Sequence, residues 1–142
     1  MSAQNKTLIR RYFEEAWNQR KPEVLDELVA TGAVNHDPAN PGVSPGPKGH
    51  KDLLAKYTSA FPDTKFTLGE VIAEGDLAAA RWSVHGTQRG EIEGIATTNR
   101  EVNLTGMIIA RIAKGKIAET WSNWDALGML QQLGVAVRAK GA

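Results

Sequence analysis

The fold is decided by Ile117-Ala118-Glu119-Thr120-Trp121-Ser122-Asn123-Trp124-Asp125, read against the preceding Leu104-Thr105-Gly106-Met107-Ile108-Ile109-Ala110-Arg111-Ile112. Both read as strands, and Ala113-Lys114-Gly115-Lys116 turns one back onto the other as a hairpin. Strict alternation from Ile117 places Glu119, Trp121, Asn123 and Asp125 on the face that carries Leu104, Gly106, Ile108, Ala110 and Ile112. Met107, Ile109 and Trp124 then belong to the opposite face. A carboxyl set in an apolar wall is costly to ionise. Asp125 is therefore expected to titrate above the free value of about 3.9 and to serve as a general acid or base.

Upstream, Phe66, Leu68 and Ile72 alternate toward one side, and Glu74-Gly75-Asp76 returns the chain into Leu77 to Thr87. Pairing Ala73 with Leu77 joins Ala78, Ala80, Trp82 and Val84 to that side and turns Arg81 and His85 away. Glu91 to Ile95 reads as a short edge strand. The N-terminal part is helical. Leu8, Ile9, Tyr12, Phe13, Ala16 and Trp17 recur at helical spacing, with Lys6, Arg10, Arg11, Glu14 and Glu15 on the other side. Pro22 opens a second, short helix with Leu25 and Leu28 inward and Gly32 as its stop, and a loop follows. Between Pro38 and Gly49 lie four of the six prolines, so this stretch is expected to wrap over an opening. Leu53, Leu54, Tyr57 and Phe61 mark a third helix that ends at Pro62; His50, at its start, is expected to face solvent.

Helices grouped ahead of an antiparallel meander indicate an α+β domain, one face of the sheet covered by helices. If Gly69, Gly86, Gly94 and Gly106 let the sheet bend strongly, the result is a cone-shaped barrel whose three N-terminal helices enclose a pocket. The 142 residues suffice for one domain, 1–142, and the formal net charge of +1 is spread along the chain. This argues against nucleic acid and membrane surfaces as partners. With no cysteine, thiolate catalysis and Cys-type zinc sites are excluded. Neither a signal peptide nor a membrane span is read, so a cytoplasmic location is expected.

The segments His36-Asp37-Pro38, Ala60-Phe61-Pro62-Asp63, Glu74-Gly75-Asp76, Arg81-Trp82, Gly86-Thr87, Gly115-Lys116-Ile117, Glu119, Trp121, Asp125 and Gln132-Leu133-Gly134 resemble the SnoaL-like polyketide cyclases, also called ester cyclases. These belong to the nuclear transport factor 2-like superfamily of cone folds. The resemblance implies an intramolecular aldol closure without metal or organic cofactor, with an aspartate near the end of the last strand as acid/base; Asp125 is the matching position. Two positions depart from the pattern. Gln88 stands where members frequently carry histidine, and Ile108 where they frequently carry a polar or ionisable group, which removes a second acid/base helper.

Two uses of Asp125 stay open: acid/base in the pocket, or N-cap of the segment Ala126 to Leu133. Glu119 is a candidate proton partner or an ion-pair partner of Lys116. Trp82 and Trp121 are expected to stack on a flat ligand, Ile108 to line the pocket, Asn123 to donate to an enolate oxygen, and His36 to sit at the pocket mouth. The three scattered histidines lack a zinc spacing, and no Gly-x-Ser-x-Gly elbow or phosphate loop occurs. The leading reading is a cofactor-free cyclase or isomerase acting on a polyketide-like or other hydrophobic carbonyl compound. Its rivals are a hydratase or epoxide hydrolase on the same fold and a non-catalytic small-ligand-binding dimer. A homodimer through the outer sheet face bearing Met107, Ile109 and Trp124 is expected in either case.

Overall fold

In the computed structural model, which describes residues 2–136, the apolar spacing of the N-terminus produces helix α1 (Ser2–Arg11). It continues as a π-helix over Tyr12–Asn18, where Gln19 N–H bonds to Glu14 C=O. The wider turn buries Tyr12, Phe13, Ala16 and Trp17 together, and such π segments recur at functional sites. Helix α2 (Val24–Leu28) buries Leu25 and Leu28 as expected, but the chain then enters strand β1 (Val29–His36) instead of a loop. Gly32 therefore lies within a strand. Helix α3 (Pro47–Ala60) starts with its proline in the first turn, where the missing N–H costs nothing, and stops before Pro62.

Strands β2 (Lys65–Glu74), β3 (Leu77–Thr87), β4 (Glu101–Ala113) and β5 (Lys116–Trp124) form the expected antiparallel meander. β1 adds to β5 in parallel, giving the order β1-β5-β4-β3-β2. Among the described residues the fold is thus α+β: helices packed on a curved, unclosed five-stranded sheet of the nuclear transport factor 2-like cone type. Residues 91–95 contribute one isolated bridge, Ile92 to Ile95, in place of an edge strand.

Two irregularities reset which residues face inward. In the first hairpin Glu74 pairs with Leu77 and Ala73 with Ala78, and a bulge falls between Leu68 and Val71 around Gly69. Phe66 and Leu68 still join Trp82 and Val84, but Val71 and Ala73 take the inner positions and Ile72 is exposed. In the last hairpin Ile112 pairs with Ile117 whereas Arg111 pairs with Glu119. One extra residue, Ala118, is thereby inserted into β5, and alternation changes phase beyond it.

Two apolar clusters meet on the concave side. The larger joins Ile9, Phe13, Trp17, Leu25, Leu28 and Leu53 to Phe66, Trp82, Ile108 and Ile117. The smaller joins Ala60, Phe61, Ile92, Val102, Leu104, Met129 and Leu133. Gly106 is required beneath Trp82, because a Cβ there would run into the indole ring. Trp82 in turn packs on Phe66 and Phe13, with ring centroids 5.1 Å and 6.3 Å away.

Candidate active site

A cavity lies between the two clusters, walled by aromatic and aliphatic residues that include Phe13, Phe66, Trp82, Leu104, Ile108 and Met129. Its volume is about 110 Å³, enough for one aromatic ring by comparison with engineered cavities of similar size. Trp82 and Ile108 face into it, as their alternation predicts.

The bulge at Ala118 places the rest of the β5 candidates elsewhere. Thr120, Ser122 and Trp124 turn inward, with Ser122 opposite Ile108 across the ladder, and Ser122 and Trp124 line the cavity. Glu119, Trp121 and Asn123 turn outward beside Arg111, Ile109 and Met107. On this outer side His36 Nε2 is 2.7 Å from Glu119 Oε2, and the His36 ring stacks on Trp121 at 5.5 Å. The hydrogen bond from His36 holds the Glu119 carboxyl below its usual range, and Arg111 reinforces it against partial burial. Trp124, expected on the outer face, is a cavity residue instead.

Asp125 follows the last residue of β5 and is exposed, contrary to the burial expected of it. Its Oδ1 accepts from Gly128 N–H at 2.8 Å as the N-cap of helix α4 (Ala126–Gln132). Gly128 is needed for this cap, because a Cβ at that position would collide with the carboxylate.

Among the described residues, the carboxylate that lines the cavity is Asp37. It stands where β1 runs into the proline-rich loop. Three donors hold it: Ala39 N–H to Oδ1 at 2.9 Å, Asn40 Nδ2 to Oδ2 at 2.9 Å, and the Trp124 indole N–H to Oδ2 at 3.3 Å. Asn40 is itself oriented, since its Oδ1 accepts from Lys56 Nζ at 2.9 Å and from Tyr57 Oη at 3.0 Å. The amide nitrogen must therefore face Asp37. Tyr57 and Tyr12 also line the cavity, and burial, aided by the charge of Asp37, pushes each phenol up to about 12.

The histidines fall differently from expectation. His50 is buried, with Nδ1 2.8 Å from Tyr12 Oη, and desolvation pushes it down to about 4. His85 is half-buried, its Nε2 3.8 Å from Glu101. Gln88 is a buried post whose Oε1 accepts from Thr98 N–H and Oγ1 while its Nε2 donates to Gly90 C=O. It braces residues 90–98 and does not reach the cavity lining. Among the described residues no three His, Asp or Glu side chains converge as metal ligands. No described helix is long and apolar enough to cross a membrane.

Sequence reasoning passed over Asp37, Tyr12, His50 and Trp124. Two signals were present: residues 50, 53, 54 and 57 share one helical face, and Asp37 lies inside the quoted His36-Asp37-Pro38 segment.

Comparison with known proteins gives one family. The profile described as SnoaL-like polyketide cyclase matches residues 7–133. No curated protein matches. Among solved structures, TsrD from Streptomyces laurentii is 30% identical with a TM-score of 0.84, covering 94% of this chain and 97% of that one. IdmH from Streptomyces antibioticus, a proposed polyketide cyclase, is 32% identical with a TM-score of 0.79, covering 92% and 99%. AclR from Streptomyces galilaeus, a proposed hydroxylase, is 26% identical with a TM-score of 0.82, covering 93% and 96%.

Proposed function

We propose, because the chain belongs to the SnoaL-like polyketide cyclase family, that it is a cofactor-free cyclase or isomerase acting on a small hydrophobic carbonyl compound, with Asp37 as its acid/base. The observation that carries this reading is the oriented Asp37 carboxylate in an otherwise largely apolar cavity. Asp37 takes a proton from a carbon flanked by carbonyls, and the electron pair moves onto a carbonyl oxygen. The resulting enolate carbon attacks a second carbonyl of the same molecule, and the alkoxide so formed takes the proton back from Asp37. Protons and electrons balance within substrate and side chain. The size of the cavity supports one ring being held at a time, with the remainder of a longer substrate projecting through the mouth.

On this reading Trp82 and Ile108 hold the substrate plane, and Asp125 acts as a helix cap. A hydratase or epoxide hydrolase would call for a second carboxylate close to the first, and among the described residues the lining holds Asp37 alone. The companion expectations are a cytoplasmic site of action and a homodimer through the outer sheet face. That face is built from Met107, Ile109 and Trp121, Trp121 taking the place first given to Trp124. Its charges are neutralised within the subunit by the pairs Arg111–Glu119 and Arg81–Glu70, so a second copy meets it without like-charge repulsion.

The test is turnover of a polycarbonyl substrate. Asp37→Asn is expected to lower it by about 10²–10⁴-fold, the usual contribution of a general base, with substrate binding retained. Unchanged turnover in that variant removes Asp37 from the reaction.

A further inference from the structure

Among the described residues, two polar groups buried beside the cavity have no hydrogen-bond partner: Trp17 Nε1 and His50 Nε2. Trp17 and Tyr12 both line the cavity, five residues apart on the π-helix, a spacing that stacks side chains across one π turn. The Trp17 indole lies near enough to Tyr12 to favour negative charge on the phenolic oxygen, although it makes no hydrogen bond of its own.

His50 decides where the Tyr12 hydrogen points. It is 2 % exposed and, being desolvated, neutral, so it carries one N–H. If that hydrogen were on Nε2, a buried donor would be orphaned while Nδ1 consumed the phenolic hydrogen. If it is on Nδ1, His50 donates to Tyr12 Oη across 2.8 Å, and what remains unpaired on Nε2 is an acceptor lone pair. Orphaned buried donors are the rarer fault, so the second arrangement is favoured. The phenolic hydrogen is then free to turn into the cavity.

We propose that Tyr12 Oη–H and Trp17 Nε1–H form a donor pair that receives the substrate's carbonyl oxygen as it becomes an enolate, with His50 as the positioning residue that turns the Tyr12 hydrogen inward. The role of the pair in turnover rests on the carbonyl chemistry proposed above; its binding of an oxyanion does not. No proton leaves Tyr12: the electron pair released when Asp37 takes the substrate proton settles on the carbonyl oxygen between the two donors.

4-Nitrophenolate serves as an oxyanion probe and nitrobenzene as its counterpart without the oxyanion. The wild-type protein is expected to bind the phenolate at least about tenfold more tightly, the worth of one good hydrogen bond to an anion. Tyr12→Phe should erase most of this preference while leaving nitrobenzene binding within about twofold. Trp17→Phe should reduce it. His50→Leu should weaken it, and His50→Gln, whose amide can still donate to Tyr12, should restore it. Nitrogen-15 NMR of the unaltered protein gives a second readout that needs no variant: His50 is expected as the Nδ1–H tautomer. An Nε2–H tautomer, or a phenolate preference that survives Tyr12→Phe, overturns the proposal. Asp37→Asn separates the two readings, since it is expected to keep or increase the phenolate preference while lowering turnover by the factor given above. Loss of the preference in that variant would show that the anion is not held by Tyr12 and Trp17.

Discussion

The indole N–H of Trp124 donates to the carboxylate of Asp37 at 3.3 Å, joining the last residue of β5 to the residue that follows its neighbour β1, both in the cavity lining. Tyr57 packs edge-on against the same indole, with centroids 5.8 Å apart, and its hydroxyl reaches Asn40, the other side-chain donor to Asp37. Trp124→Phe keeps most of the ring packing and deletes this donor. Turnover is expected to fall about fivefold, equivalent to about 1 kcal/mol, with little change in melting temperature. Steady-state kinetics beside a thermal melt checks it.

Gly106→Ala should destabilise the protein by about 1–3 kcal/mol, the usual cost of overpacking a well-filled core. The new Cβ meets the six-membered ring of Trp82, which has no room to retreat except into the cavity. Urea unfolding measures the cost. Combining the substitution with Trp82→Phe should recover part of it, because the two changes share one contact.

Asp125→Ala should cost about 1 kcal/mol of stability through loss of the α4 cap, whereas Asp125→Asn should be close to neutral, asparagine being an equally good N-cap. Denaturation midpoints distinguish the two. A large loss of turnover in the asparagine variant would return Asp125 to the chemistry.

Acid should weaken the fold through His50. Unfolded, this histidine titrates near 6.5; folded, desolvation lowers it to about 4. Between those values the unfolded chain takes up a proton that the folded chain refuses. Stability is therefore fully present above the unfolded value and is lost as pH falls, by about 1.4 kcal/mol per pH unit and on the order of 3 kcal/mol across the window. Urea titrations at pH 7 and pH 4.5 should show a larger loss for the wild type than for His50→Gln. Equal losses would mean that the folded protein protonates His50 freely.

Ile109→Glu should leave the fold intact and convert a dimer into a monomer, since Ile109 is exposed between Met107 and Trp121 on the outer face. Sedimentation at micromolar concentration is the measurement. A monomeric wild type would exclude this interface.

Helices α1 and α3 and the order of the meander were legible because amphipathic spacing and turn residues are local signals. Strand β1 was not: Val29–His36 has weak alternation, and its place depends on parallel pairing with β5, more than eighty residues away in the chain. Trp82 and Ile108 could be assigned inward because β3 and β4 pair without interruption. Trp121 and Trp124 exchanged faces because the bulge falls at Ala118, a residue type that announces no irregularity. Asp37 was hidden by its setting, a proline-rich stretch in which residues read as punctuation. His50 was judged by its position at a helix start, while the face it shares with Leu53 and Leu54 is the one that packs inward.

The inserted Ala118 has an evolutionary corollary. Excising that one codon would restore an unbroken ladder along β5 and leave Ser122 and Trp124 in the cavity, whereas drawing Ala118 into the ladder would swing Trp121 and Asn123 in and Ser122 and Trp124 out. A lineage carrying this sheet can thus gain or lose the bulge residue while keeping the same chamber wall. Paralogues compared column by column across an unrecognised insertion would equate lining positions with surface ones.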